Sequence, residues 1–179
     1  AVVADLSWDD QDDGVDTDDV VQSLVHGQKP ELKVVRDITA EIDWIAEQIK
    51  SMAKAGSDLR DVCVALRTNN LVDQYARGLR ERGLETMVLK ARRVDDRSVE
   101  GVRVATMHRV KGLEFDEVFL ANMSEGVVPS NRILQKARRE GNEDTVIQEE
   151  RSLIYVAMTR AKRGTTITAA GKMTKLIRE

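Results

Sequence analysis

Apolar and polar residues fall in blocks along this chain of 179 residues. After Pro30, KVVR (33–36) has the pattern of a short strand. From Thr39, read as an N-cap, Ile42, Ile45, Ala46, Ile49, Met52 and Ala53 recur at the spacing of one helical face, which Gly56 ends. DVCVAL (61–66) is the continuous apolar run of a strand covered on both faces. Asn69 and Asn70 then cap a helix with Leu71, Tyr75 and Leu79 on one side, closed by Gly83. TMVL (86–89), VRVAT (102–106) and EVFLA (117–121) follow as strands, the first two joined by a polar, basic link, ARRVDDRSVEG. Residues 124–145 read as loop, with Gly126, Pro129 and Gly141 around RILQKARRE. A helix is expected from about Gln148 to Lys162, with Leu153, Val156, Ala157 and Arg160 near one face. Gly164 breaks it, and TTITAA (165–170) is the last strand. Strands alternating with helices imply an α/β fold, a three-layer sandwich around a mostly parallel sheet.

Charge divides the chain into two regions. Residues 1–20 hold Asp5, Asp9, Asp10, Asp12, Asp13, Asp16, Asp18 and Asp19 and no base. As a calcium loop starting at Asp9 this stretch fails, because position three is Gln11 and position twelve is Val20, where a bidentate Glu is needed. Residues 1–30 are therefore expected to be a solvated, partly disordered lead-in, with His26 on a turn near Gly27 and Pro30, and residues 31–179 the folded domain. Across 77–111, by contrast, Lys and Arg outnumber Asp and Glu. That asymmetry suits either a polyanion-facing surface or two solvated runs.

Composition closes off other classes. Aromatic residues make up 3%, too few for a base-stacking platform. The single cysteine, Cys63, permits no internal disulfide, and with two separated histidines it leaves no structural zinc site. No apolar run approaches a membrane span and no signal peptide is recognisable, so no membrane association and a cytoplasmic location are expected.

Two constellations carry chemistry. In VATMHRVKGLEFDEVFL (104–120), the turn follows a strand, where open α/β sheets gather function at their carboxyl ends. Thr106 and His108 offer hydrogen bonds, Arg109 and Lys111 charge, and Gly112 close backbone approach. Glu114, between Leu113 and Phe115, is expected to be held by apolar neighbours in a direction that suits a hydroxyl-bearing ligand such as a ribose. The turn would equally serve as a helix start whose polar residues are solvated. In EERSLIYVAMTRAK (149–162), Arg160 on an inward helix face needs an anion. Glu149, Glu150 or a sheet-end carboxylate would serve structurally; a phosphate would serve functionally, since it matches the guanidinium fork.

TMHRVKGLEFDEVFL resembles motif V of superfamily 1 helicases of the UvrD/Rep type, and EERSLIYVAMTRAKR resembles their motif VI. VCVALRTNN is similar to a strand–helix unit earlier in the same domain, and GVVPS (126–130) to the stretch after motif V. The resemblance runs from about residue 31 to the end. It implies a RecA-like domain of the P-loop NTPase fold, the second of two that clasp ATP between them. By position, Arg160 then corresponds to an arginine finger, Glu114 to a carboxylate on the nucleotide sugar, and Gly112 to the close approach to nucleotide. Thr106 and His108 correspond to contacts with single-stranded DNA, and Arg67 to a further arginine on the nucleotide side. Lys111 is either structural or a phosphate contact.

The resemblance also implies what other parts of a longer protein supply. GxxxxGK[ST] is absent: Gly171-Lys172 is followed by Met173. No apolar strand ends in Asp-Glu. ATP and Mg²⁺ would thus be held mainly by an N-terminal RecA-like domain, and this chain alone would not hydrolyse ATP. Where UvrD and Rep insert an accessory domain, only about a dozen residues intervene here. The function implied is the C-terminal motor domain of an ATP-dependent DNA helicase or translocase, with DNA repair and 3′→5′ movement as family associations. The alternative is a nucleic-acid or protein-binding module that keeps the fold without the motor.

Overall fold

A computed structural model describes residues 29–90 and 94–177. The acidic lead-in up to residue 28, His26 included, lies outside the described residues. Among those described, six strands form one sheet: β1 (Glu31–Val35), β2 (Val62–Leu66), β3 (Thr86–Val88), β4 (Val102–Thr106), β5 (Phe115–Leu120) and β6 (Ala161–Ala170). Their order is β1-β6-β5-β2-β4-β3, and every pairing is parallel. The helices are α1 (Ile38–Lys54), α2 (Asn69–Glu81), α3 (Asn131–Glu140) and α4 (Glu143–Met158). The expected three-layer sandwich is what forms.

Side chains alternate across the sheet, so each strand feeds two cores. Val62, Val64 and Leu66 of β2 join Val102, Val104 and Phe119 beneath Ile42, Ile45 and Ile49 of α1 and Val72, Tyr75 and Leu79 of α2. Cys63, Ala65, Ala105, Val118 and Leu120 face the other way, against Ile154 and Ala157 of α4. A sheet buried on both faces by helices is the usual solution for parallel strands.

Several boundaries differ from the sequence reading. Asp37 caps α1, accepting from the Ala40 amide at 2.8 Å, and Thr68 caps α2. Both precede the predicted caps by one or two residues. Residues 131–140, read as loop, form α3, capped by Ser130 and closed by Gly141 at φ 72°. Only Ala137 of α3 is buried; its apolar stripe is limited to Ile133, Leu134 and Ala137 within a basic, polar run flanked by Gly and Pro, which reads as loop. Finally, α4 starts before Gln148 and stops at Met158, and β6 begins directly at Ala161.

The link before β4 is organised by a buried cation. Arg103, 0% exposed, pairs with Asp95 at 3.1 Å and donates to the carbonyls of Asp96, Val99 and Gly101 at 2.7–2.9 Å. Arg97 reaches Asp61 and the Arg60 carbonyl from the same segment. Residues 94–101 are thereby fastened down between β3 and β4.

Candidate functional site

The expected site residues separate onto two edges of the sheet. At the carboxyl edge, Leu66 pairs with Thr106, and the Met107 amide donates to the Leu66 carbonyl at 2.8 Å. Thr106 accepts the Arg109 amide at both its hydroxyl and its carbonyl, closing the turn. His108 is exposed, and Arg109 Nε donates to the Lys90 carbonyl at 3.1 Å. This edge thus presents an imidazole and a threonine beside Lys90 and Arg109.

The chain must then return to the amino edge to begin β5. Residues 107–114 cross the sheet face by successive tight turns, burying Met107 and Val110 completely. Gly112, at φ 82°, allows a turn that a side-chain-bearing residue would strain, and a Cβ there would touch nothing. Gly112 and Glu114 consequently emerge at the opposite edge from Thr106, roughly 20 Å away along the strands. Placing the whole 106–116 turn at the carboxyl end therefore holds only for its first residues.

At the amino edge the two motif-bearing segments meet. Phe115 pairs with Ala161, and the Phe115 amide donates to the Arg160 carbonyl at 2.9 Å. Glu114 is not held by apolar neighbours: its side chain is 65% exposed and is tethered to Lys162 at 3.2 Å. Arg160 lies one residue past the C-cap of α4, not on its inward face, and is half-buried. Its Nε donates to the Val156 carbonyl and its Nη2 to the Thr159 hydroxyl, each at 3.2 Å. A cation suits this helix terminus, where carbonyls gather partial negative charge. No carboxylate pairs with Arg160 among the described residues. The structural partners considered for it are not used: Glu149 is exposed, and Glu150 is taken by Arg67.

Arg67 accordingly does not join Gly112, Glu114 and Arg160. It follows β2 at the carboxyl edge, and its guanidinium grips the buried Glu150 in a bidentate pair of 2.6–3.0 Å. Glu150 was expected only as a candidate partner for Arg160, and the structure gives it to Arg67 instead. Glu150, Ile154 and Ala157 fall at i, i+4 and i+7, which marks a carboxylate on an apolar stripe and is the signal in the sequence for its burial.

Another carboxylate completes the amino edge. Glu117 of β5 lies over Gly164 of β6, where any Cβ would collide with it. Burial raises its pKa, with Asp116 adding to the rise and Arg163 opposing it. A cavity of about 380 Å³ opens elsewhere, between residues such as Val128, Leu134, Ile147 and Leu176. None of the expected site residues lines it.

Comparison with known proteins identifies the arrangement. The model of the UvrD-like helicase C-terminal domain matches residues 7–98 and 89–172. A Bacillus subtilis (strain 168) protein provisionally named ATP-dependent DNA helicase YjcD is 36% identical over 113 residues, which is 63% of this chain and 14% of that protein. ATP-dependent DNA helicase Rep of Buchnera aphidicola subsp. Schizaphis graminum is 27% identical over 143 residues, 73% of this chain and 20% of the relative. The chain thus spans a fifth or less of these curated relatives. The crystal structure of the C-terminal domain of a possible DNA helicase from Lactobacillus plantarum WCFS1 superposes with a TM-score of 0.64 at 21% identity, covering 84% of this chain and 79% of that one. That likeness establishes the shared RecA-like fold.

Proposed function

The chain belongs to the UvrD-like helicase C-terminal domain family, and on that premise we propose that it is the second motor domain of an ATP-dependent DNA helicase or translocase. The observation that carries this reading is the amino-edge cluster. Arg160 stands there without a carboxylate partner among the described residues, one hydrogen-bonded step from Phe115 and beside the exposed Glu114.

In this reading the nucleotide is bound between this edge and an N-terminal RecA-like domain. Arg160 exchanges its bonds to the helix end for the terminal phosphate of ATP, where charge builds as the phosphoryl group transfers. Such a residue contributes about 10³–10⁵ in rate in related NTPases. Glu114 leaves Lys162 to accept from a ribose hydroxyl, and Gly112 lets the backbone lie close to the nucleotide. Mg²⁺ is assigned to the other domain, since this chain has neither GxxxxGK[ST] nor an apolar strand ending in Asp-Glu. At the opposite edge, Thr106 and His108 contact single-stranded DNA, with Lys90 and Arg109 adding positive charge beside them. Arg67 takes no part in binding nucleotide, because Glu150 already satisfies its fork.

The deciding experiment measures ATP hydrolysis by the full-length parent protein and its Arg160→Ala variant, with and without single-stranded DNA. DNA-stimulated turnover that falls about 10³-fold or more in the variant supports an arginine finger. A variant that matches the parent makes the arginine structural. A parent without ATPase activity makes the chain a binding module instead. The purified 179-residue chain should show no turnover, and DNA-stimulated hydrolysis by it would refute the assignment of the phosphate cradle to another domain.

A further inference from the structure

We propose that the Arg67–Glu150 ion pair is a positioning element, tying the DNA-facing edge of the sheet to the helix that carries Arg160. The inference rests on the reading of Arg160 as the arginine finger and adds a route by which DNA binding sets its position.

The pair fastens α4 near its middle, whereas among the described residues the first turn is tied only to α3, through the exposed Arg138–Glu143 pair. Residues 143–149 contain no buried side chain, and Asn142 makes no side-chain cap. Glu150 is the first buried residue of the helix, with a side chain 5% exposed, and Arg67 meets it with one Nε shared between both oxygens and one Nη2 at 2.6 Å. Beyond it, Ile154 and Ala157 hold the second half against the sheet.

Each end of the fastening leads to one of the two edges. Arg67 directly follows Leu66, which pairs with Thr106 and whose carbonyl binds the Met107 amide. A shift of the Thr106–His108 segment therefore acts on the residue adjacent to Arg67. From Glu150, α4 runs about 12 Å to Met158, and Arg160 is bonded to the last turn of that same helix through the Val156 carbonyl and Thr159. The guanidinium thus follows the helix end. A rod fixed at one end beside the DNA contacts, and bearing the finger at the other, transmits a displacement that a loosely held helix would absorb.

Energetics also favour a role beyond stability. A buried ion pair seldom outperforms an apolar pair of equal volume, and its best-attested use is to fix register. The fork geometry fixes α4 in both translation and rotation against β2, which apolar contacts of Ile154 and Ala157 do less sharply.

The test uses the full-length parent with Arg67→Lys, which keeps the charge but loses the fork, Glu150→Gln, their double mutant, and the exchanged pair Arg67→Glu/Glu150→Arg. The ratio of DNA-stimulated to DNA-free ATP turnover is expected to fall about tenfold in each single variant, while affinity for single-stranded DNA and KM for ATP stay within about twofold. The double mutant should be no worse than the singles, and the exchange should restore part of the ratio. An unchanged ratio in folded variants overturns the proposal, as does a fall in stimulated turnover matched by the DNA-free rate. Arg160→Ala separates the two readings. If it abolishes stimulation and the Arg67 and Glu150 variants do not alter the ratio, only the positioning role fails; if it leaves stimulation intact, the finger reading fails and this inference with it.

Discussion

Arg103→Met offers the sharpest test of how residues 94–101 are held. The native guanidinium is fully buried on β4, pairs with Asp95 and saturates three carbonyls of the segment it carries. Methionine fills most of the volume and donates nothing. The Asp95 carboxylate, 9% exposed, is left without its main cation, and the carbonyls of Asp96, Val99 and Gly101 lose their donor. Breaking a buried pair from one side costs about 3–5 kcal/mol. Arg97 still approaches Asp95, but at 3.8 Å and from a half-exposed position, so it recovers little. For a domain of this size the loss corresponds to a fall in Tm of roughly 6–20 °C. Asp95→Asn keeps every carbonyl bond and one acceptor, so it should cost less than half as much. Denaturant titration followed by circular dichroism gives both values, and amide exchange at Ser98 and Val99 reports whether the segment loosens before the sheet. A loss under 1 kcal/mol in Arg103→Met, or Asp95→Asn proving the worse variant, would refute the clasp.

Three other outcomes follow from buried groups. Glu41 accepts from the Tyr75 hydroxyl at 2.6 Å, the Asn122 amide at 2.7 Å and the Thr168 hydroxyl. Glu41→Ala should therefore cost about 3 kcal/mol or more in a denaturant titration, whereas Glu41→Gln retains an acceptor for Asn122 and Thr168 and should cost clearly less. Glu117 has its pKa raised by burial, so the folded state binds its proton more tightly than the unfolded chain does and stability declines as pH rises through that range. Glu117→Gln should raise Tm at pH 7–8, with the gain vanishing toward pH 4; a constant difference across pH would contradict the burial effect. Cys63 is fully buried and its thiol pKa is pushed upward by desolvation, so a thiol reagent should label it only under denaturing conditions.

The sheet was legible because its strands follow a strong apolar pattern. VCVAL and VRVAT were visible, and two Gly-closed helices between strands left few topologies open. What stayed hidden was set by tertiary partners. Alternation alone cannot tell that Arg103, in VRVAT, faces inward, since the sequence gives no sign of the carbonyls that receive it. Glu41 sits within the apolar stripe of α1 beside Ile42 and Ile45, and its burial depends on Tyr75, Asn122 and Thr168 from three distant segments. The candidate site residues could be named from the sequence, but not their placement on two edges of the sheet. Resemblance brought out Thr106, His108, Gly112, Glu114 and Arg160, yet it grouped Arg67 with the nucleotide side and left Glu150 as one candidate among several. Both trace to one tertiary pairing, because the Arg67–Glu150 contact joins residues far apart in the chain; the end of α4 at Met158 separately takes Arg160 off the helix.

That Thr106 and Glu114 sit on opposite edges follows from the shortness of the link between them. Parallel strands are normally joined by a helix, long enough to let the two ends move independently. Here β4 and β5 flank β2, so the link must return roughly 20 Å along the strands and step about 10 Å sideways. Residues 107–114 manage this through turns closed by Arg109–Thr106, Lys111–His108 and Leu113–Val110 bonds. Residues 107–112 lie in such turns, which advance only about 2 Å per residue, and the last steps to Phe115 are extended at about 3.3 Å each, so the span leaves little slack. Burial of Met107 and Val110 further prevents the link from bowing away from the sheet. This link and α4 run between the same two edges, and they converge where the Phe115 amide meets the Arg160 carbonyl. Two connections ending on one hydrogen bond hold Glu114 and Arg160 near each other, as the proposed site shared with a second domain requires.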